Sequence, residues 1–262
     1  MTLDDAYANA PYIEGAEAYP ERWAQSADTY RRALAAAGRA RLGIMYGHGP
    51  REALDLFLPD GTPEGLCVFV HGGYWLKFDR GSWSHLAEGP RAAGWAVAMP
   101  SYDLAPRVRV SDITRQVAQA VIRASHEVEG PIRLAGHSAG GQQVARMAMP
   151  GVLPEAVAAR LAHVMPISPV ADLRPIMQTA MNDDLKIDEA EAQAESPVLH
   201  PAPTVPVTVW VGGDERPAFL EQAEALAKAW GAGHVVDAGM HHFDVIDGLA
   251  DPESRMTRTL LG

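Results

Sequence analysis

From about residue 52 onward, short runs of β-branched and apolar residues alternate with longer amphipathic stretches, and this alternation constrains the fold more than any other feature of the chain. A short run that is apolar at every position has both faces covered, the condition of a strand inside a parallel sheet, whereas apolar residues three and four apart mark a helix with one buried stripe. Strands are expected at ALDLFLPD, LCVFVHGG, WAVAMPSY, IRLAGHS, HVMPIS, VPVTVWVGG and HVVDAG. Ile113, Val117, Ala120, Val121, Ala124 and Val128 recur at helical spacing, which predicts a helix opened by Ser111 as its N-cap. The stretch PAFLEQAEALAKAWG reads as a second. The pattern predicts an α/β fold class: a mostly parallel central sheet flanked by helices on both faces.

With 262 residues, 47% of them hydrophobic, the chain is long enough to bury a sizeable core, and residues 1–262 read as one domain. Two segments stand outside the alternation. Residues 1–50 hold a helix in PERWAQSADTYRRALAAAG plus loops, and residues 169–203 form a polar, proline-punctuated insertion between two core strands. An insertion of that length is usually functional, and a lid is the expectation. The 22 basic residues against 33 acidic ones leave a formal net charge of −11. Such a field repels phosphate backbones and anionic lipid headgroups, so neither nucleic acid nor a membrane is expected as a partner. The single cysteine, Cys67, lies within LCVFV, which excludes an intrachain disulfide. MTLDDAYANAP lacks a basic region followed by an apolar one, so a cytoplasmic setting is the expectation. Oligomerisation of the chain with itself is left open.

After the strand IRLA comes GHSAGG, a G-x-S-x-G pattern formed by Gly136, Ser138 and Gly140. Small residues on either side of a serine let a strand turn sharply into a helix and expose the hydroxyl in a strained conformation. A serine hydroxyl is a weak nucleophile and needs a base, which in turn needs an orienting acid. Downstream, VPVTVWVGG ends at Asp214, and HVVDAG is followed by GMHHFDVIDGL with His241 and His242. Both clusters follow late strands, at the sheet edge where open α/β folds place their sites. Adjacent histidines point in different directions, and His242 is taken as the one that faces Ser138, with Asp214 as its acid. His137 is expected to be structural, and His71 to brace its own loop. HGGYW at residues 71–75 lies at the mouth of an earlier strand. Its glycines allow backbone N–H groups to approach a developing oxyanion, so Gly72, Gly73 and Tyr74, with Ala139 directly after the serine, are the expected donors. Tyr74 and Trp75 are expected to wall the pocket.

These residues, together with YGHGPREALDLFLPDG, SYDLAP, the 169–203 insertion and HFDVIDGL, make the chain resemble α/β-hydrolases of the kynurenine formamidase (arylformamidase) type. The hallmark of that family is HGGxW in place of the HGGG of hormone-sensitive-lipase-like esterases. The resemblance covers most of residues 45–250 and implies an α/β-hydrolase fold with the insertion as a cap. It carries the nucleophile onto Ser138, the acid onto Asp214, the histidine onto His242 and the oxyanion donors onto Gly72, Gly73 and Ala139. It implies hydrolysis of an N-formyl aryl amide through a formyl-enzyme, with no metal and no cofactor. The substrate is then a small aromatic amide, or an ester if the chain is a short-chain carboxylesterase; a third reading is an inactive fold that binds a ligand. Lys77, Arg107 and Arg174 are candidate cations for a charged substrate tail.

Overall fold

A computed structural model describes residues 2–262. Eight strands form one sheet: β1 (Ala40–Met45), β2 (Ala53–Phe57), β3 (Leu66–Val70), β4 (Ala96–Pro100), β5 (Ile132–His137), β6 (Leu161–Ile167), β7 (Thr208–Gly212) and β8 (Gly233–Asp237), in the order β1-β2-β4-β3-β5-β6-β7-β8. The pairs β1/β2 and β2/β4 are antiparallel and every later pair is parallel. All seven expected strands are present. β1 is the additional one: it is largely exposed, and its register shifts between Arg41 and Ile44.

Alternate residues of the central strands feed two cores, because successive side chains on a strand point to opposite faces. Leu66, Val68 and Val70 of β3 pack on one side with α2 (Val110–Ser125), α3 (Ala139–Met147) and α4 (Pro217–Trp230). Cys67 and Phe69 pack on the other with α1 (Tyr19–Ala36) and α5 (Arg255–Leu261). Burial on both faces is why these strands read as unbroken apolar runs. α2 starts one residue before the expected cap: Arg109 is the N-cap, and its N–H donates to Asp112 Oδ2 at 2.9 Å. Ser111 lies inside the first turn, where its N–H donates to Glu191 Oε1.

The two outlying segments differ in how they meet this body. Residues 169–203 are fastened to it: Leu185, Ile187 and Ala192 enter the core, Arg146 pairs with the buried Glu195 at 3.1 Å, and Arg109 pairs with the buried Glu191 at 2.7 Å. The chain before α1 winds through three short helical turns over the carboxyl edge of the sheet. Several contacts pin it there. Asp4 accepts from the Ala180 N–H, Asp5 pairs with Arg216, Tyr7 receives the Gln222 amide, and the Arg216 guanidinium lies 3.5 Å over the Tyr12 ring.

Candidate active site

Ser138 sits where β5 turns into α3, with φ 57° and ψ −116°. Positive φ is costly for a residue with a side chain and persists only where its surroundings impose it. Here the Ser138 N–H donates to the Ile167 carbonyl at 2.8 Å. The flanking glycines are sterically required. A Cβ on Gly136 would stand 2.2 Å from the Gly140 carbonyl oxygen, and one on Gly140 would stand 2.0 Å from that of Val70. The turn delivers Ala139 into the first turn of α3, where an N–H has no intrahelical acceptor.

His242 follows β8, and its Nδ1 lies 2.6 Å from Glu215 Oε2, with both side chains buried. Glu215 Oε1 accepts from the Gly212 N–H at 2.9 Å and from the Ser168 hydroxyl. A carboxylate with donors on both oxygens holds the imidazole proton on Nδ1, so Nε2 keeps its lone pair. The His242 ring is packed between Phe219, at 4.3 Å, and His137, at 4.6 Å. Burial, with repulsion from His242 as a smaller cause, holds the His137 pKa well below the usual imidazole value, so His137 is a neutral wall beside the pair.

This corrects the expectation for Asp214. The turn after β7 bonds the Asp214 N–H to the Met240 carbonyl at 2.9 Å and leaves the Asp214 side chain exposed, while the next residue turns inward to His242. The two adjacent histidines part in the same way. His241 Nδ1 lies 3.1 Å from the Phe243 N–H and its Nε2 lies 3.0 Å from the Tyr19 hydroxyl, whereas His242 reaches the cavity.

The HGGYW loop lies against the serine: a Cβ on Gly72 would come within 3.0 Å of Ser138 Cβ. Gly73, Tyr74 and Trp75 are successive residues with positive φ, at 107°, 53° and 59°. Among the described residues the Gly73 N–H has no acceptor. His71 braces the loop through Nδ1 on the Gly72 carbonyl at 2.8 Å and stacks on Tyr102 at 4.2 Å, and burial lowers its pKa to about 4. Tyr74 lines the cavity, but Trp75 does not, which corrects the second expectation. The Trp75 ring is fully buried in the core, and its indole N–H donates to Gln142 at 3.2 Å.

Above Ser138 and His242 opens a cavity of about 710 Å³. Trp23, Phe78, Trp83 and Phe243 supply an aromatic wall, and Tyr7, Asn9 and Pro11 stand in its roof. The 169–203 insertion contributes only Ala180 and Met181 to the lining. Of the three candidate cations, Lys77 lines the cavity; Arg107 and Arg174 do not, and Arg174 is paired with Asp172 at 2.7 Å. Sequence reasoning missed Glu215 and the amino-terminal roof. A signal existed for each: Asp214-Glu215 offers the same choice of neighbours as His241-His242, and Tyr7, Tyr12, Tyr19 and Trp23 put large aromatic rings into a segment with no strand of its own.

Residues 67–243 match the family model of the alpha/beta hydrolase fold, and the chain belongs to that family. Within it the chain is similar to kynurenine formamidases. It is 29% identical over 272 residues to the kynurenine formamidase of Danio rerio, with 92% of each chain covered. It is 28% identical over 241 residues to that of Drosophila melanogaster, covering 83% of this chain and 79% of the other. The crystal structure of a candidate thioesterase from Silicibacter sp. TM1040 superposes with a TM-score of 0.98 and 59% identity over the whole of both chains. An esterase of Pyrobaculum calidifontis shares the fold, with a TM-score of 0.69 at 18% identity over 94% of this chain and 92% of the other. Among the described residues no helix is long and apolar enough to cross a membrane.

Proposed function

We propose that this protein is a serine hydrolase that removes the formyl group from an N-formyl aryl amide. Ser138 is the nucleophile, His242 the base and Glu215 the acid that orients it. Ser138 Oγ attacks the formyl carbon as His242 Nε2 takes the hydroxyl proton. The negative oxygen of the tetrahedral intermediate is met by the N–H groups of Gly73 and Ala139, with Gly72 beside them. The C–N bond breaks, His242 returns the proton to the departing aryl amine, and a formyl ester remains on Ser138. Water, deprotonated by His242, attacks that ester and formate leaves, restoring the free serine.

The observation that carries the reading is the buried Glu215–His242 hydrogen bond beside a serine held in a strained elbow, on the floor of a cavity walled by four aromatic rings. A flat aryl amine fits such a wall. The relationship to kynurenine formamidases supports the formamide, while the 59% identical candidate thioesterase supports a second reading, in which the same machinery cleaves a thioester. Comparing kcat/KM for N-formylkynurenine, p-nitrophenyl butyrate and a butyryl thioester separates the two. The formamide is expected to be the best substrate by at least tenfold. Efficient ester or thioester turnover with negligible formamide turnover refutes the formamidase reading, and failure of a fluorophosphonate probe to label Ser138 refutes both.

A further inference from the structure

We propose that Ser168 is a positioning residue of the hydrolytic centre: its hydroxyl fixes the rotation of the Glu215 carboxylate and, through it, the aim of His242. Ser168 is fully buried and follows the last residue of β6. It takes φ 46°, in the left-handed region that a residue with a side chain enters only where its surroundings impose it. Two bonds hold it there. Its N–H donates to the Trp210 carbonyl of β7 at 2.7 Å, and its hydroxyl donates to Glu215 Oε1.

The last side-chain torsion of a glutamate, about which its carboxylate turns, has broad wells, so one bond does not fix it. His242 Nδ1 takes Oε2, at 2.6 Å, and the aim of that bond depends on what holds Oε1. One donor to Oε1 is the Gly212 N–H at 2.9 Å, which belongs to the strand that leads to Glu215 and ties the side chain only to its own turn. The Ser168 hydroxyl ties it to β6 instead, and β6 also holds the nucleophile: the Ile167 carbonyl accepts the Ser138 N–H at 2.8 Å. Two consecutive residues thus grip the serine and the acid and set their separation. The strands themselves do this weakly, because β6 and β7 share one ladder pair, Ile167↔Trp210, and an isolated bridge, Val164↔Val207. The Glu215 side chain is shut off from solvent, so bulk water does not replace a lost donor.

The inference rests on reading Ser138, His242 and Glu215 as a hydrolytic triad, and its test separates the two. Ser168→Ala removes the hydroxyl, and Ser168→Gly removes it with a residue to which φ 46° is no strain. Both are expected to lose about 10- to 100-fold in kcat per titratable Ser138, the range of a hydrogen bond to a charged group, with KM within about twofold. Added to Glu215→Gln, Ser168→Ala is expected to cost at most about threefold more, because the carboxylate through which Ser168 acts is gone. The proton NMR line of His242 Nδ1–H is expected to be sharp in the wild type and to broaden in Ser168→Ala. A loss in kcat below tenfold in either single variant, an equal loss in the Glu215→Gln background, or an unchanged Nδ1–H line overturns the proposal. If the wild type turns over no substrate and a fluorophosphonate does not label Ser138, the hydrolase reading falls, and the Nδ1–H line still decides whether Ser168 holds the Glu215–His242 pair.

Discussion

Exchanging Glu215 for glutamine, with Asp214→Asn as its companion, separates two neighbouring carboxylates by their chemistry. In the native site Glu215 Oε1 accepts from both the Gly212 N–H and the Ser168 hydroxyl. A glutamine therefore keeps its carbonyl oxygen in that position and turns its NH2 toward His242 Nδ1, now as a donor. Facing a donor, Nδ1 must present a lone pair, so the imidazole proton moves to Nε2, where it points at Ser138 instead of accepting the serine proton. An acid that sets the tautomer is worth about 10⁴ in kcat, or about 5.5 kcal/mol of barrier, so Glu215→Gln is expected to lose that much with KM little changed. Asp214→Asn alters an exposed side chain and is expected to stay within about twofold. Steady-state kinetics on the best substrate, normalised to the Ser138 fraction titrated by a fluorophosphonate, read both outcomes. A large loss in Asp214→Asn, with Glu215→Gln within tenfold of wild type, would refute the assignment.

Two further expectations concern the scaffold. Burial holds His71 neutral in the folded chain, its pKa lowered to about 4 from 6.5, so only the unfolded chain takes up that proton between the two values. The stability this provides is complete above about pH 6.5 and is lost as pH falls toward 4, by about 2 kcal/mol between pH 7.5 and pH 5. Denaturant titrations across that range should show a shallower slope in His71→Phe, and identical slopes would contradict the argument. Trp23 packs 4.9 Å from Trp83 and 5.3 Å from Phe243 and lines the cavity. Trp23→Ala should cost about 3–5 kcal/mol, lower Tm by roughly 10 °C, and raise KM for an aryl amide more than it lowers kcat; an unchanged KM would remove Trp23 from the pocket wall.

What could be read from the chain before folding follows the range of the forces involved. The strands β2 to β8 and the long helices were legible because their apolar periodicity is local. β1 was not, since its residues are mostly exposed and Gly43 takes φ 71° within it. Glycine spacing and chain order singled out Ser138 and His242, and the structure brings both to the wall of one cavity. Choosing between Asp214 and Glu215 depends on the Ser168 hydroxyl, 47 residues away, and on how the turn after β7 meets Met240. Trp75 was misplaced for a related reason: its backbone takes φ 59°, which sends the ring into the core instead of the cavity, and nothing adjacent in the chain dictates that.

The roof of the cavity is tied to parts of the chain far from it in sequence: Tyr19 bonds His241 across 222 residues, and Gln222 bonds Tyr7 across 215. During synthesis residues 2–19 therefore meet Tyr74 and Ala180 first, and their docking is complete only when the helix of Gln222 and the His241–His242 loop have left the ribosome. Such distant pairings form late, because the closure entropy of the whole intervening chain must be met first. The cavity above Ser138 and His242 is in consequence finished only when the body of the molecule is.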